Sequence, residues 1–371
     1  MSLSFGGRVG RAEITERHVV TSGSWTAADQ AAMDQAVALA WTARRSVAPR
    51  PWVGAVVCPP DESPGAGRMF GGATDGRRGR HAEVVAIAAA GDAARGATLY
   101  CTLEPCSHHG ATAPCVDAIL AAGISRVVVA LEDPDPKVAG RGIATLRHHG
   151  VTVDVGCGEA LVEDQLAPYL YHRRTGRPWV VLKWASTLDG RVAAADGTSQ
   201  WITSDAARSD AHSLRADSDA IVVGAGTVRA DDPSLTVRLA GWESVGDDDL
   251  GDLRQPRRVV LGSIPPGARV LPAHEHAGSL TDLLNELGSS GVLQVLVEGG
   301  ATVAASFHHQ GLVNRYVVYL APALAGGSDG LPPVIGPGPA GIADLWRGQI
   351  VGVRQVGPDL RVDLEPVDRG L

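Results

Sequence analysis

The sequence alternates short apolar runs with segments of helical periodicity, and it does so twice. Residues 26–45 read as an amphipathic helix: Thr26 is the N-cap, and Met33, Ala36, Val37 and Ala40 recur at helical spacing. Residues 52–58 form an apolar run bounded by proline on both sides, which predicts a buried strand, and the Gly-, Pro- and Arg-rich stretch 59–80 a loop with at most one short strand. Helix is expected at 81–90, strand at 97–103, helix at 113–122 closed by Gly123, strand at 125–131, helix at 142–149 and strand at 151–155. Such an alternation predicts an α/β domain on a largely parallel sheet.

The pattern then breaks and restarts. Residues 159–169 read as helix, and 171–178 (YHRRTGRP) as a polar, turn-prone seam. A second α/β series follows, with strands at 179–183, 220–224, 257–261, 294–298 and 315–320 and helices at 204–216 and 302–309. The stretch 241–256, with Asp247, Asp248 and Asp249, reads as a solvated loop. The expected organisation is one domain at 26–157, a linker at 158–178 and a second domain at 179–368, in keeping with 371 residues.

Composition narrows the function classes. A formal charge of −8, with no long Lys/Arg run, argues against a nucleic-acid partner, and aromatics at 4 % leave little for stacking single strands. No run of 18 apolar residues is present, which argues against a membrane span, and 1–25 has no apolar h-region of a signal peptide, so the cytoplasm is the expected location. The five cysteines (58, 101, 106, 115 and 157) all fall in the first half and are too few for a disulfide framework.

Chemistry concentrates in His81-Ala82-Glu83, Pro105-Cys106 and Cys115. A catalytic zinc needs three protein ligands and one open position, and His81, Cys106 and Cys115 supply three; such a metal lowers the pKa of its water to about 7. A carboxylate beside the metal must shuttle protons, and Glu83, two residues from His81 on the same helix turn, is placed for it. This is the His-x-Glu and Pro-Cys signature of zinc deaminases, although the spacing to the second cysteine is C-x₈-C rather than C-x-x-C. The bland alternatives are ordinary buried residues or a structural zinc, which usually needs a fourth ligand; Cys101, inside a strand-like run, reads as packing. A non-catalytic binding protein would have no use for Glu83.

The segment 97–115, ATLYCTLEPCSHHGATAPC, resembles the deaminase half of the bifunctional deaminase/reductase family of riboflavin biosynthesis, whose mark is the long Cys–Cys spacing. Asp133-Pro134 and Val138-Ala139-Gly140 match a second family pattern, and the resemblance runs over about 26–365. It implies a cytidine-deaminase-like domain followed by a dihydrofolate-reductase-like domain. The first would remove the ring amino group of a phosphoribosyl aminopyrimidine using Zn2+. The second would reduce the ribosyl group to ribityl with NADPH. A homo-oligomer is the expected assembly.

In the second half the resemblance runs through 183–190 (KWASTLDG), 199–203, 212–216, 219–238 and 297–302. It implies Lys183 and Asp231 for positioning and proton transfer. Ala185, Trp201, Thr227, Asp231, Gly299, Gly300, Ala301 and Thr302 would meet the cofactor, and Ser199, Arg215, Leu235, Arg238 and Glu298 the substrate. Independently of the resemblance, Glu298-Gly299-Gly300 ends a strand and opens a helix, where backbone N–H groups favour a phosphate. Gly224-Ala225-Gly226 lacks the third glycine of a Rossmann fingerprint, Arg229 standing there. Trp201 reads equally as a stacking or a packing residue. Arg215 and Arg238 read as phosphate forks or as surface ion pairs.

Departures from the family pattern gather in the first pocket. Arg50 stands where the family has an asparagine, the family's histidine before the HAE motif aligns with Ala73, and Ala111 replaces a basic residue. Further along, Ala113 replaces a proline and Asn314-Arg315 an acidic pair. Arginine only donates, whereas asparagine donates and accepts. A paralogue with shifted or lost deaminase specificity, working on a related aminopyrimidine or as a reductase alone, is therefore the alternative.

Overall fold

The computed structural model describes residues 25–60, 67–110, 113–239 and 255–367. Position 111 and the stretch 241–254 of the expected acidic loop lie outside the described residues. The first helix, α1 (Ala27–Ala43), opens with a capping box: the Thr26 side chain accepts from Asp29 N at 3.0 Å and the Asp29 carboxylate accepts from Thr26 N at 3.2 Å. Its apolar face, Ala32, Met33, Ala36 and Ala40, is fully buried on a five-stranded sheet. A Cβ at Gly54 would stand 1.9 Å from the Ala36 carbonyl oxygen, so only glycine lets α1 lie this close to its strand.

That sheet runs in the order β2 (Phe70–Ala73), β1 (Gly54–Cys58), β3 (Thr98–Leu103), β4 (Arg126–Leu131), β5 (Thr152–Val155). Helices α2 (Ala82–Ala90), α3 (Cys115–Ala122) and α4 (Arg141–His148) connect the strands. Here the expectation of a largely parallel sheet needs correction: β1 is antiparallel to both β2 and β3, and only β3, β4 and β5 run parallel. The physical reason is the first loop, which returns as the short strand β2 beside β1 rather than crossing over through a helix.

The stretch read as a turn-prone seam is helical. After α5 (Glu159–Gln165) the chain turns at Leu166 into α6 (Ala167–Thr175), and only Gly176, in the left-handed region at φ +74°, ends it. Polar composition misled there, because α6 is buried by position: Leu166 and Leu170 join the first core and Ala167 the second, while His172 Nε2 meets the Gly288 carbonyl at 2.9 Å.

The second sheet has eight strands, ordered β12 (Gly348–Val356), β13 (Asp359–Pro366), β11 (Arg315–Ala321), β6 (Trp179–Thr187), β10 (Gln294–Val297), β7 (Ala220–Gly224), β8 (Arg257–Leu261), β9 (His274–His276). From β11 to β9 all pairings are parallel, and the β12–β13 hairpin closes the other side antiparallel. Successive residues of β6 serve opposite faces: Trp179 and Val181 enter one core, Val180 and Leu182 the other. Both faces are thus covered, by α7 (Asp205–Ala216) and α8 (Ala225–Asp231) among others, and by α9 (Leu280–Ser289) and α10 (Ala301–His309). Neither α8, α9, β9 nor the final hairpin was anticipated from periodicity.

The two sheets meet at a polar joint. Arg44, at the end of α1, is buried with its guanidinium 3.9 Å above the Trp52 ring, and it donates to the Asp217 carbonyl and to Gln294 Oε1. Arg45 pairs with Asp217 at 2.7 Å, and Arg315 joins Asp164 of α5 to Glu365 of β13.

Candidate active sites

The first site forms where two helices begin. His81 is the N-cap residue of α2 and has no capping hydrogen bond of its own, which leaves its ring free. Cys115 is the first residue of α3, and its N–H points at Cys106 Sγ at 3.4 Å. The three donor atoms close on one point: His81 Nδ1 lies 3.2 Å from Cys115 Sγ and 3.6 Å from Cys106 Sγ, and the sulfurs are 3.5 Å apart. Zinc bonds of about 2.3 Å to sulfur and about 2.05 Å to nitrogen put tetrahedral ligand atoms about 3.5–3.8 Å apart, so the residues present fit that ion with one corner left over. The hydrogen bond shared with Cys115 draws Cys106 down to about 4, and the same contact pushes Cys115 up. Two thiols this close repel as a dianion, which a divalent cation relieves.

Glu83 sits in the first turn of α2 with its side chain buried. Burial raises its pKa, and His81 works against that rise. Beside it opens a cleft of about 270 Å³ lined by Arg50, Thr74, Arg78, His108, Asp133 and Tyr169, among others. Cys101, by contrast, is fully buried inside β3, and Cys58 and Cys157 are buried too, which is in keeping with their reading as packing.

Two expectations about the altered pocket change. Ala73 pairs with Gly54 at the end of β2 and packs on the first core; the next residue, Thr74, is the one that lines the cleft. Arg50 does line the cleft, but one of its nitrogens donates to the carbonyls of Gly76 (3.0 Å) and Gly79 (3.1 Å). It is a clamp on the 75–80 loop as well as a wall. Asp133 went unrecognised as a pocket group: it accepts from Tyr169 Oη and from Asp135 N, and burial lifts it to about 6. The signal was present in the Asp133-Pro134 match, but Tyr169 lay across the seam.

The second site forms at the carboxyl ends of the parallel strands β6, β7 and β10, where open α/β sheets place their ligands. Lys183 on β6 feels the charge of Glu298, which follows β10, and Arg215 closes a two-pronged pair on Glu298 with both contacts at 2.7 Å. Burial would raise Glu298, but Arg215 and then Lys183 overcome it and hold the carboxylate at about 2. Burial lowers Lys183, against the pull of Glu298. His212, missed in the sequence, is pushed down to about 4, first by burial and then by Arg215 and Arg238. Tyr319, also missed, lies with its ring 5.6 Å from Lys183 Nζ and its hydroxyl on Asp210 at 2.5 Å.

The glycines divide in role. A Cβ at Gly299 would press on Val303 at 2.5 Å, so that glycine serves packing, whereas Gly226 is open and Gly300 would only approach Thr227 Oγ1 at 3.5 Å. Gly300 N donates to Thr227 Oγ1, and α10 begins there at Ala301 and Thr302 with no side-chain cap. These residues make an anion-ready helix start, which suits a nucleotide phosphate.

The remaining expected residues are spread wider. Asp231 ends α8, exposed, and its partner is Gln200 at 3.3 Å rather than Lys183. Trp201 is 69 % exposed with the Arg208 guanidinium 4.4 Å above its ring, and neighbouring Ser199 is half-buried. Ala185 is half-buried on β6, and Leu235, in the left-handed region at φ +54°, buries its side chain in the core, leaving only its main chain for a ligand. Arg215 is committed to Glu298 and the Thr236 carbonyl, while Arg238 is exposed, with one nitrogen on Ser234 Oγ.

Comparison with known proteins accounts for both halves. A family model of the cytidine and deoxycytidylate deaminase zinc-binding region matches residues 26–131, and a model of the RibD C-terminal domain matches 178–362. The riboflavin biosynthesis protein RibD of Mycobacterium tuberculosis is 42 % identical over 342 residues, covering 90 % of this chain and 96 % of the relative. RibD of Escherichia coli is 39 % identical, covering 91 % and 99 %. Among solved structures, Acinetobacter baumannii RibD superposes with a TM-score of 0.82 at 36 % identity over 92 % of this chain and 99 % of that one. A diaminohydroxyphosphoribosylaminopyrimidine deaminase/5-amino-6-(5-phosphoribosylamino)uracil reductase from Thermotoga maritima gives 0.77 at 32 % identity, over 91 % and 99 %.

Proposed function

The chain belongs to the RibD family of bifunctional riboflavin-biosynthesis deaminase/reductases, and from that premise we propose how its two sites divide the work. It is an enzyme of riboflavin biosynthesis with a deaminating and a reducing half. The single observation that carries the reading is a relative matched from end to end in which both catalytic centres have residues to serve them here. It favours the two-step reading over a paralogue that kept only reduction.

We assign residues 26–157 to deamination, 158–178 to the connection and 179–368 to reduction. In the first site His81, Cys106 and Cys115 would hold Zn2+, which when bound supplies an acidified water at the open corner. The Glu83 carboxylate takes a proton from the attacking water and returns it to the departing ring amine, which leaves as ammonia. Its burial suits the task, because loss of solvation raises the carboxylate's affinity for the proton it has to accept. The cleft walls hold the phosphoribosylated diaminopyrimidinone ring.

In the second site NADPH would lie along Thr227, Gly300, Ala301 and Thr302, with Trp201, Ala185 and Asp231 at its borders, and it supplies a hydride for the ribosyl C1′. Lys183 carries the proton that the opening sugar ring oxygen needs. Glu298 is held ionised and so positions Lys183 rather than donating itself. Arg215 holds Glu298, which leaves Arg238, with Ser199 and the Leu235 main chain, for the substrate phosphate. For the assembly we retain a homo-oligomer: the edge strand β12 exposes Ile350 and Val353, an apolar edge that favours pairing with another chain.

The test is one assay with two readouts, ammonia release and NADPH oxidation, on the diaminopyrimidinone ribonucleotide and on its deaminated product. Expected are ammonia from the first compound and NADPH oxidation with the second. Reduction without ammonia release would leave the chain a reductase alone.

A further inference from the structure

We propose that Arg78, presented at the mouth of the deaminase cleft by a loop that Arg50 and Arg77 clamp, binds the 5′-phosphate of the substrate being deaminated. The inference rests on the reading above that this substrate is phosphorylated. The 75–80 loop, Asp-Gly-Arg-Arg-Gly-Arg, is closed by Asp75 N donating to the Arg80 carbonyl at 2.9 Å. A Cβ at Gly79 would stand 1.8 Å from the Asp75 carbonyl oxygen, and Gly76 lies in the left-handed region, so the turn needs both glycines. Arg50 fastens one side of it through the Gly76 and Gly79 carbonyls, and Arg77 Nε fastens the other to the Ala48 carbonyl at 2.9 Å. Two of the three cleft-lining arginines therefore hold main chain. Arg78, between them, is exposed and lines the cleft with no hydrogen bond or ion pair to any described residue.

Charge in the rest of the cleft does not answer Arg78. Glu104 is satisfied by the N–H groups of Asp133, Gly140, Gly142 and Ile143 at 2.8–3.3 Å. Asp135 pairs with Arg173 at 3.5 Å, Asp133 accepts from Tyr169 and Asp135 N, and Glu83 lies buried beside the metal ligands. A guanidinium with all its donors open, carried on a clamped loop that lines the cleft, fits a phosphate in a two-pronged hydrogen bond. Position 111 on another loop, basic in the family pattern, is alanine here, so the cation comes from the 75–80 loop instead.

The zinc-loaded full chain is compared with Arg78→Ala and Arg78→Lys, measuring ammonia release from the diaminopyrimidinone ribonucleotide and from its dephosphorylated nucleoside. Arg78→Ala should raise KM for the phosphorylated compound by ~10- to 100-fold with little change in kcat, the range of a lost charge-assisted hydrogen bond. KM for the nucleoside and the NADPH-linked reduction should stay as in the wild type, and Arg78→Lys should recover most of the loss. Equal rises for both compounds, or no rise for the phosphorylated one, would overturn the proposal. If the wild type released no ammonia from either compound, the parent reading would fail separately. Calorimetric titration with ribose 5-phosphate then decides: Arg78→Ala should weaken its binding by a similar ~10- to 100-fold factor, and an unchanged affinity would overturn the assignment.

Discussion

The two sites solve the problem of holding charge in opposite ways. In the first, three metal donors and Glu83 come from two helix starts and one strand end within 35 residues, and the surrounding cleft keeps an open cation at its rim. In the second, Lys183, Arg215 and Glu298 come from three separated segments, and Arg215 neutralises Glu298 before any ligand arrives, which leaves the net positive charge of the trio on Lys183. A metal centre needs its ligands preset and its proton carrier mobile; a hydride-transfer site needs a charged group held still. The contrast predicts that single substitutions in one half leave the other half working.

The largest effect should come from Glu83→Gln. Loss of a positioned acid–base group costs ~10²- to 10⁴-fold, so ammonia release should fall by that much, with zinc content at one per chain and reduction of the deaminated substrate unchanged. A matched fall in both activities would break the division into independent sites. Cys115→Ser should abolish ammonia release together with the bound metal, and again spare reduction.

The counterpart in the second half is Lys183→Met, expected to lower NADPH-linked turnover by ~10²- to 10³-fold, the range for a lost preorganised donor, while ammonia release continues. Asp231→Asn should cost much less, because Asp231 lies exposed with Gln200 as its partner, away from Lys183. If the order were reversed, Asp231 would be the proton carrier and Lys183 the positioning group.

The same contrast decided how much the sequence could reveal. The grouping of His81, Cys106 and Cys115 with Glu83 beside it was legible because metal chemistry would fix such residue types, and α2 and α3 bring them together. Ala73 was misplaced by one position relative to the cleft, since a one-residue slip in a strand exchanges its two faces. Arg215 was legible as an important cation but not as the partner of Glu298, 83 residues away, because that pairing exists only once β10 lies beside β7. The alternation of strands and helices gave the architecture, yet α6 was hidden by its polar surface, and α9 in spite of its Leu280, Leu283, Leu284 and Leu287 stripe.

Stability against pH should carry opposite signatures from the two sites. Asp133 has its folded pKa raised from 3.8 to about 6, so the folded chain binds the extra proton and stability falls as pH rises from about 4 to 6. Glu298 has its folded pKa lowered from 4.5 to about 2, so its contribution is full above about 4.5 and is lost as pH falls toward 2. At about 1.4 kcal/mol per unit each is worth ~3 kcal/mol as an upper bound. Denaturant midpoints measured across this range should lose the fall between pH 4 and 6 in Asp133→Asn, and the acid-side loss in Glu298→Gln. A variant that shifts the whole curve without changing its slope would refute the titration assigned to that group.

Arg50→Asn should give the smallest effect and makes the sharpest cut between two meanings of that residue. If Arg50 reads the pyrimidine edge, exchanging a donor-only group for an amide changes kcat/KM for the phosphorylated and the dephosphorylated substrate alike. The hydrogen bonds from Arg50 to the Gly76 and Gly79 carbonyls make it a clamp instead, whose loss frees the loop that carries Arg78. The expected result is therefore a cost of about 1 kcal/mol in stability, a several-fold rise in KM confined to the phosphorylated substrate, and unchanged kcat in both halves. Because Arg50 also lies near Glu83 and the two cysteines, which favour its charge, a change in kcat with either substrate would show that its field on the proton carrier outweighs its hold on the loop.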